Sequence, residues 1–522
     1  MNTAPRSGGS RRRRFLTNVV WSWAGVVVNV VLGLFLSAIL VRKLGVDRYG
    51  VWVLLFSTMD YLRLLDFGLR AAVINRCARH NAVGDAVKVN ETVNTAIVYF
   101  LGMSAACCAV AFAGRNAAMH LFNIDASLQP DARLLTIIIA LSISARLIFS
   151  PVTGALEAFQ RFDAINRAYI GALAARAFGS IALLLAGYGL VALGLLVLVV
   201  QTAEDVWNFV SLKRVFPELR LTPGLVRREA FHGMLSYGKH SSVMAAANLV
   251  SIQSPATVLG YLRGPTDVAF FAFPWRLLMY TTEAFAKVGQ ITASVTAALD
   301  AQQQARDVWN MAIVTNRTCL ALFMPAAIFL TFYATPLLTV WAGPQVAVGS
   351  AALLPVLVVP FLFAIAGQFN SGAVLIGQAK HGPYARAFVV EVVASVAALL
   401  LVVPRFGAFG AACVVATALM VNRCAYLAVL MCRVNGLSAR EYLDAIYARP
   451  LAAGIPAVLA AVALRSALLP GHNWFELLGA AAIIAATYFL VAVFVVLDSD
   501  ARRQILLRLP FPRSAVRPPA SL

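Results

Sequence analysis

Long apolar runs separated by short polar and basic segments fill almost the whole chain. Most runs have roughly 18 to 25 residues, close to the ~20 residues that a helix needs to cross about 30 Å of hydrocarbon. Segments of about ten alternating residues, typical of membrane β-strands, do not occur. The pattern predicts an all-α integral membrane protein with about 14 transmembrane helices. We place them at residues 17–40, 47–66, 91–113, 133–154, 166–188, 190–212, 231–253, 267–290, 309–333, 351–373, 384–403, 408–430, 450–469 and 475–497.

Composition supports this interpretation and excludes a soluble globular domain. Hydrophobic residues make up 61% of the chain, charged residues only 13%, and the mean hydropathy is +0.79. The seven cysteines form no CxxC motif and have no nearby pair of histidines. We therefore expect no metal and no other cofactor.

The net charge of +20 would fit a nucleic-acid-binding protein if it formed one patch. Instead, most Lys and Arg fall in alternate loops and in the two tails, as the positive-inside rule requires when both termini are cytoplasmic. The basic tails are residues 1–16 and 498–522, and the first apolar run is too long for the core of a signal peptide. We expect a multi-pass membrane protein with both termini in the cytoplasm and no nucleic-acid partner.

The chain also aligns with itself at an offset of about 218 to 219 residues. Matched positions include Asn29 with Asn248, Gly45 with Gly264, Trp52 with Phe271, Gly154 with Gly372, Gln160 with Gln378 and Gly189 with Gly407. This repeat predicts an N-terminal six-helix lobe at 17–212 and a C-terminal six-helix lobe at 231–432. Cytoplasmic linkers follow at 213–230 and 433–449, and helices 13 and 14 occupy 450–497. Duplicated halves are typical of alternating-access transporters.

The second predicted span carries four charges, although ionisable residues are costly inside a bilayer. In a regular α-helix, Asp60, Arg63, Asp66 and Arg70 fall within an arc of about 120° with alternating signs. They could form a self-paired structural network near the end of the helix. The alternative is an inner gate whose ion pairs exchange partners as the lobes move.

Cations outnumber acids at the predicted membrane midplane. Arg176, Lys239, Arg276 and Arg317 lie about 12 to 15 Å from the starts of their spans, and Arg146 lies nearer the cytoplasm. For any single residue, snorkelling or a structural ion pair would explain the charge. As a set, they predict a cavity that binds an anionic ligand, because unpaired guanidinium groups in a low-dielectric site need a counter-charge.

Three further residues could couple transport to an ion gradient. His240 follows Lys239, and Glu204 and Asp205 are adjacent, so we expect only one of the two acids to face the cavity. There is no nucleotide-binding motif to support ATP-driven transport.

Several segments of the chain form a recognisable set: "LVRKLGVDRYGVW" at 40–52, "DFGLR" with "AAVINRCARHNAVGD" to residue 85, "GALEAFQRFDAINRA" at 154–168 and "SGAVLIGQAKHGPYARA" at 371–387. With these segments, most of residues 14 to 432 resembles bacterial polysaccharide flippases of the Wzx type. Multidrug MATE exporters and peptidoglycan-precursor flippases belong to the same superfamily. The resemblance implies two lobes around a cationic cavity and movement of a polyprenyl-pyrophosphate-linked oligosaccharide across the bacterial inner membrane for O-antigen or exopolysaccharide synthesis.

This resemblance further implies a transporter and not an enzyme, with the lipid-linked glycan, membrane lipids and the polysaccharide polymerase or export machinery as partners. Two alternatives stay open. A MATE-type drug or small-solute exporter would more naturally use acids against cationic drugs. A membrane-embedded glycan polymerase or ligase would need a sizeable outer loop, and no predicted outer loop exceeds about 20 residues.

Overall fold

A computed structural model describes residues 28–436 and 438–496, with the backbone alone for residues 237–242, 284, 366, 368 and 369. All regular secondary structure in these ranges is helical, and they contain no strand. The all-α prediction is confirmed for this part of the chain. The basic tails predicted at 1–16 and 498–522 lie outside the described residues.

The first helix, α1, is described from residue 28 and ends at residue 44. The others are α2 Val46–Met59, α3 Leu69–Ala82, α4 Ala86–Leu121, α5 Gln129–Ala158, α6 Phe162–Leu185, α7 Leu190–Val215, α8 Arg228–Arg263, α9 Pro265–Ala301, α10 Ala305–Phe332, α11 Ala334–Ala342, α12 Pro344–Ser350, α13 Leu353–Ile365, α14 Gly372–Gly377, α15 Gly382–Ala418, α16 Leu427–Asn435, α17 Ala439–Leu443, α18 Arg449–Ala463 and α19 Trp474–Val495. A 3-10 helix spans Asp60–Asp66, and π-helical segments span Ala366–Ser371, Leu419–Tyr426, Asp444–Ala448 and Leu464–Leu468.

Nine helical segments of the described ranges are long and apolar enough to cross a membrane, or ten if the bent pair α12 and α13 is one span. Except for a few residues at the ends, the described part of every predicted span is helical, so the difference from 14 has identifiable sources. The first span is described only from residue 28, the second is interrupted after 14 α-helical residues, and α9 is not among the nine. The eleventh and twelfth are counted as one segment of 54 residues. The total of 14 stays a prediction.

A single glycine breaks that 54-residue segment. Gly407 has φ 53° and ψ −138°, a non-helical conformation inside α15 that favours a residue without a side chain. At 1.5 Å per residue, an unbroken helix of this length would extend roughly 80 Å, far beyond the thickness of a bilayer. The chain must therefore turn here, at the position that the repeat pairs with Gly189.

Backbone conformation supports the repeat at another matched pair. Gly45, between α1 and α2, has φ 84° and ψ 165°, and Gly264, between α8 and α9, has φ 90° and ψ −179°. Both conformations exclude most residues with a Cβ atom. The two helical hairpins thus use the same turn about 219 residues apart, although the predicted lobe boundaries stay a prediction.

The described residues form two compact units. The first contains the described chain up to Ala284, together with Trp341–Leu353 and Ala385–Ala418. Its α4 and α5 are joined by a hydrogen bond of 2.9 Å from the Ser104 hydroxyl to the Ser144 carbonyl. Close approach adds to this, since a Cβ atom on Gly260 of α8 would clash with Leu54 of α2. Small residues and buried hydrogen bonds of this kind hold helices together in lipid, where apolar burial gives little drive.

The second unit contains Phe285–Val340, Leu354–Tyr384 and the described chain from Leu419. A buried polar cluster lies inside it: the Asn316 side-chain amide donates to the Ser371 hydroxyl at 3.1 Å and to the Tyr442 hydroxyl at 2.7 Å. Ser371 ends a π-helical segment, a geometry that re-aims side chains within a helix. The cluster therefore holds α10 against the π-helical segment Ala366–Ser371 and against α17, which contains Tyr442.

The linker predicted at 213–230 is bound along its length to α4. The Asn90 and Asn94 amides donate to the backbone carbonyls of Glu218 and Arg220 at 3.0 and 2.7 Å, and accept from the backbone N–H groups of Arg220 and Thr222. Such paired bonds imitate a strand ladder and satisfy backbone groups that would otherwise need water. The linker predicted at 433–449 is helical from Ala439 and continues into α18.

An acidic side chain caps the N-terminus of α4. The Asp85 carboxylate accepts the backbone N–H of Lys88 at 3.0 Å as an N-cap. This hydrogen bond favours the ionised form, so it holds the pKa of Asp85 below its usual value.

Candidate functional site

A cavity of about 440 Å³ lies within the first unit, lined by side chains of α1, α2, α6, α8 and α9. Its walls are mainly apolar, and the polar positions are few. They are Asn29, Ser57, Arg176, Gln253, Trp275, Arg276 and Tyr280. Among its described lining residues there are two arginines and no Asp or Glu, so the cavity has a positive charge that its own walls do not neutralise.

Arg276 of α9 has tyrosine hydroxyls around it and no carboxylate within ion-pair distance among the described residues. The hydroxyl of Tyr280, one helical turn away, and the hydroxyl of the fully buried Tyr49 both lie near its guanidinium and interact with it electrostatically. Gly33 of α1 makes room for this arrangement, because a Cβ atom there would clash with the Tyr280 hydroxyl. The positive charge is oriented but not paired.

Arg176 of α6 also lines the cavity, so the structure brings together two of the five predicted anion-binding residues. Its Nε is buried and has no hydrogen-bond partner in the described structure. The charges of Glu204, Arg146 and Asp205 act on it from behind the cavity wall, but no ion pair within 4 Å is formed with the described acids. Arg176 thus lies between the cavity and an acidic cluster.

That cluster changes the interpretation of Arg146. Its guanidinium contacts Glu204 at 2.9 Å and Asp205 at 2.8 Å, and the two acid side chains are only 4% and 0% exposed. We expected one of these adjacent acids to face the cavity, but neither is among its described lining residues, because α7 places both against α5, where Arg146 bridges them. One Asp205 oxygen, Oδ2, is buried without a hydrogen-bond partner in the described structure.

The remaining predicted cations are not part of the described cavity. Lys239 and His240 belong to α8, but their side chains lie outside the described residues. Arg317 is buried in α10 of the second unit, 9% exposed, and does not line the cavity.

The predicted charge ladder has a different geometry from that of a continuous α-helix. Because Asp60–Asp66 is a 3-10 helix, Asp60, Arg63 and Asp66 stack along one edge. Arg63 lies 3.8 Å from Asp60, but Arg70 follows a left-handed turn at Phe67 and Gly68.

Arg70 consequently pairs with Glu157 of α5 at 2.5 Å instead of with the Asp66 side chain. Asp66 accepts the backbone N–H of Arg70 at 3.1 Å and so caps the start of α3. The four charges therefore form one ion pair within the segment, Asp60 with Arg63, and one ion pair with another helix, Arg70 with Glu157.

Sequence reasoning missed the two amides of the cavity. Asn29 donates from Nδ2 to Glu283 at 2.9 Å, and Gln253 donates from Nε2 to Asp60 at 2.8 Å. The self-alignment identified Asn29 as a polar residue within an apolar run but not as a lining residue. Gln253 had a comparable signal, since an uncharged amide in a membrane span needs partners.

Comparison with known proteins identifies the family. The model of a family described as "Polysaccharide biosynthesis protein" matches residues 39–348, more than half of the chain. The chain belongs to this family.

One relative of this polysaccharide biosynthesis protein is a Shigella flexneri protein whose name proposes O-antigen transport. The two are 23% identical over 411 residues, which cover 76% of this chain and 93% of the relative. The resemblance found in the sequence is confirmed at the level of the family.

Solved structures show the fold of this polysaccharide biosynthesis protein. The lipid II flippase MurJ in an inward closed conformation is 12% identical, with a TM-score of 0.73 over 94% of this chain and 100% of MurJ. A multidrug resistance MATE family transporter of the MOP superfamily, in an inward-facing conformation, is 14% identical, with a TM-score of 0.67 over 80% of this chain and 96% of the transporter. The protein is a multi-pass membrane protein with a MATE-like fold, and these two similar structures are those of a flippase and a transporter.

Proposed function

We propose that this protein flips a polyprenyl-pyrophosphate-linked oligosaccharide across the bacterial inner membrane during O-antigen or exopolysaccharide synthesis. The observation that carries the proposal is the cavity with two arginines and no acid among its described lining residues, in a chain of the polysaccharide biosynthesis family. A diphosphate supplies the negative charge that this cavity lacks.

Arg276 is the first candidate for diphosphate contact. Its tyrosine neighbours leave the guanidinium uncompensated while orienting it, and Arg binds phosphate oxygens through two parallel hydrogen bonds. Arg176 is the second, since its Nε is buried and unpartnered among the described groups. Lys239 is retained as a third contact, and we give Arg317 a role outside this cavity.

The cluster of Arg146, Glu204 and Asp205 fits ion coupling better than ligand binding, because its cation is already paired with two acids. A change in the charge of either acid would be felt by Arg176, which borders both the cluster and the cavity. His240 remains a coupling candidate. The segment from Asp60 to Arg70 remains the proposed inner gate in an alternating-access cycle, with both termini in the cytoplasm and a polysaccharide polymerase as downstream partner.

The experiment uses proteoliposomes that carry a fluorescent polyprenyl-pyrophosphate oligosaccharide, with an external glycan-cleaving enzyme to report which leaflet holds the glycan. Wild-type protein should alter the protected fraction under a proton or sodium gradient, and Arg276→Gln should reduce the rate by at least tenfold. Arg115→Gln is the matched control, since Arg115 packs 3.7 Å from the centroid of the Phe112 ring and does not line the cavity.

Two results would contradict the proposal. In the first, the wild-type protein leaves the lipid in place under both gradients but transports small cations, which would favour a drug exporter. In the second, Arg276→Gln and Arg115→Gln reduce flipping equally, which would remove the cavity from the mechanism.

A further inference from the structure

The two amides of the cavity have a fixed orientation. An ionised carboxylate can only accept hydrogen bonds, so the Nδ2 of Asn29 must face Glu283 and the Nε2 of Gln253 must face Asp60. Their carbonyl oxygens, Asn29 Oδ1 and Gln253 Oε1, are therefore the ends left for a ligand, and no described residue donates to either.

These oxygens have the wrong polarity for the group that the arginines bind. A diphosphate carries acceptor oxygens, so a carbonyl oxygen beside it gains no hydrogen bond and is repelled electrostatically. A polyprenyl chain has neither donors nor acceptors. The amide oxygens require a third part of the ligand, one that presents O–H or N–H groups.

We infer that the cavity recognises the first sugar of the lipid-linked glycan through hydroxyl donors, with Asn29 and Gln253 as specificity-determining acceptors next to the diphosphate-binding arginines. This inference rests on the proposed function. It adds that the protein distinguishes a glycosylated carrier lipid from the same diphosphate lipid without a sugar.

An aromatic wall completes a site for a sugar ring. The rings of Trp275 and Phe271 are stacked, with centroids 5.6 Å apart and an interplanar angle of 29°, and both residues line the cavity. A pyranose has an apolar face of C–H groups and a rim of hydroxyls. The aromatic wall offers a surface for the face, and the amide oxygens offer acceptors for the rim.

Ligand contact at Gln253 would also reach the proposed gate. Asp60, which holds Gln253, lies 3.8 Å from Arg63 within the 3-10 segment. A hydroxyl bound by Gln253 therefore adds a member to a hydrogen-bonded chain that ends on this segment.

The test is equilibrium binding to the full-length protein in nanodiscs with three probes. These are a polyprenyl diphosphate hexose, the same lipid with its sugar hydroxyls methylated, and the polyprenyl diphosphate without sugar. Methylation keeps the ring and its oxygens but removes the donors. Wild-type protein should bind the hexose lipid more tightly than either of the other two, by about two- to twelvefold for each hydrogen bond made.

Asn29→Leu and Gln253→Met should lose this preference by weakening binding of the hexose lipid alone. Unchanged binding of the sugar-free lipid shows that each variant is folded. Glu283→Gln is a milder variant, because a glutamine can donate as well as accept and so frees Asn29 to turn; we expect a smaller loss, again for the hexose lipid alone.

The inference is overturned if wild-type protein binds the hexose and methylated lipids equally, a comparison that needs no variant. It also fails if Asn29→Leu and Gln253→Met weaken all three probes alike or none of them. Failure of the proposed function has a different signature: Arg276→Gln should weaken binding of all three lipids, and an unchanged affinity for all three would remove the diphosphate site itself.

Discussion

Arg146 and Arg276 both lie within apolar helices of the same unit, yet among the described residues only Arg146 forms ion pairs. Arg146 contacts two buried carboxylates at 2.9 and 2.8 Å. Arg276 has two tyrosine hydroxyls around it, and no described carboxylate lies within 4 Å. The charge of Arg146 is therefore balanced by acids of the protein, whereas the charge of Arg276 is not balanced by any described acid.

The difference shows what makes a charged residue in a membrane helix available to a ligand. A buried cation that is paired with acids stabilises the folded protein, because its removal would leave buried carboxylates without a counter-charge. A cation held by neutral hydroxyls keeps its field, since these groups orient it without cancelling it. Stability and ligand binding should therefore respond in opposite ways to the same substitution at the two sites.

The largest effect is expected from Arg146→Gln. The substitution leaves Glu204 and Asp205 buried side by side without their cation, which should lower the free energy of unfolding by about 3–5 kcal/mol. Thermal unfolding in detergent measures this loss. Adding Glu204→Gln and Asp205→Asn should restore most of the stability, and a triple variant as unstable as the single one would contradict the assignment.

Arg276→Gln should have the opposite profile. We expect a melting temperature close to that of wild type, but a loss of about 1.5–3 kcal/mol in binding free energy for a polyprenyl diphosphate, the range for hydrogen bonds to charged groups. Arg276→Lys should lie between the two, because it keeps the charge but not the paired hydrogen bonds. If Arg276→Gln unfolds the protein as Arg146→Gln does, the two sites do not differ as described.

Gly33→Ala tests how Arg276 is held. The new methyl group would collide with the Tyr280 hydroxyl and move it away from the guanidinium, at a cost near the lower end of the roughly 1–3 kcal/mol typical of overpacking. Adding Tyr280→Phe should remove the worst of the collision and recover part of the stability, since the ring carbon Cζ still lies 2.8 Å from the new methyl position, but it should not recover ligand affinity. Recovery of full affinity would mean that the hydroxyl does not orient Arg276.

The smallest effect is expected at Arg63, whose side chain is 61% exposed and lies 3.8 Å from Asp60. Arg63→Ala should change the free energy of unfolding by about 0–1 kcal/mol, as for other exposed pairs. A cost as large as that of Arg146→Gln would show that charge pairs in the proposed gate carry structural weight after all.

Much of the fold follows from hydropathy. Apolar length predicts where the helices lie, and Gly45 and Gly264, a matched pair of the predicted repeat, share a backbone conformation that favours glycine. The interruptions were not predictable in the same way. The 3-10 helix at Asp60–Asp66 contains no proline or glycine, so its own residues do not distinguish it from an α-helix, and its contact with Gln253 of α8 is not visible in the local sequence.

The sequence predicted a cationic cavity, but it did not predict all of the residues that line it. Depth along each helix pointed to Arg176 and Arg276, and both line the cavity. Depth could not show that Arg146 is neutralised, because its partners lie 58 and 59 residues away on another helix. The amides were missed because a search for charge ignores neutral groups, although both amides donate to acids and line the cavity.

Gly407 has a consequence for how the sidedness of this protein is measured. Counting Gly382–Asn435 as one crossing instead of two changes the total number of crossings by one and so assigns every later residue to the opposite face of the membrane. A reporter fused after α19 would then be interpreted with the wrong polarity. The break at Gly407, with φ 53°, therefore determines to which face of the membrane the later residues are assigned.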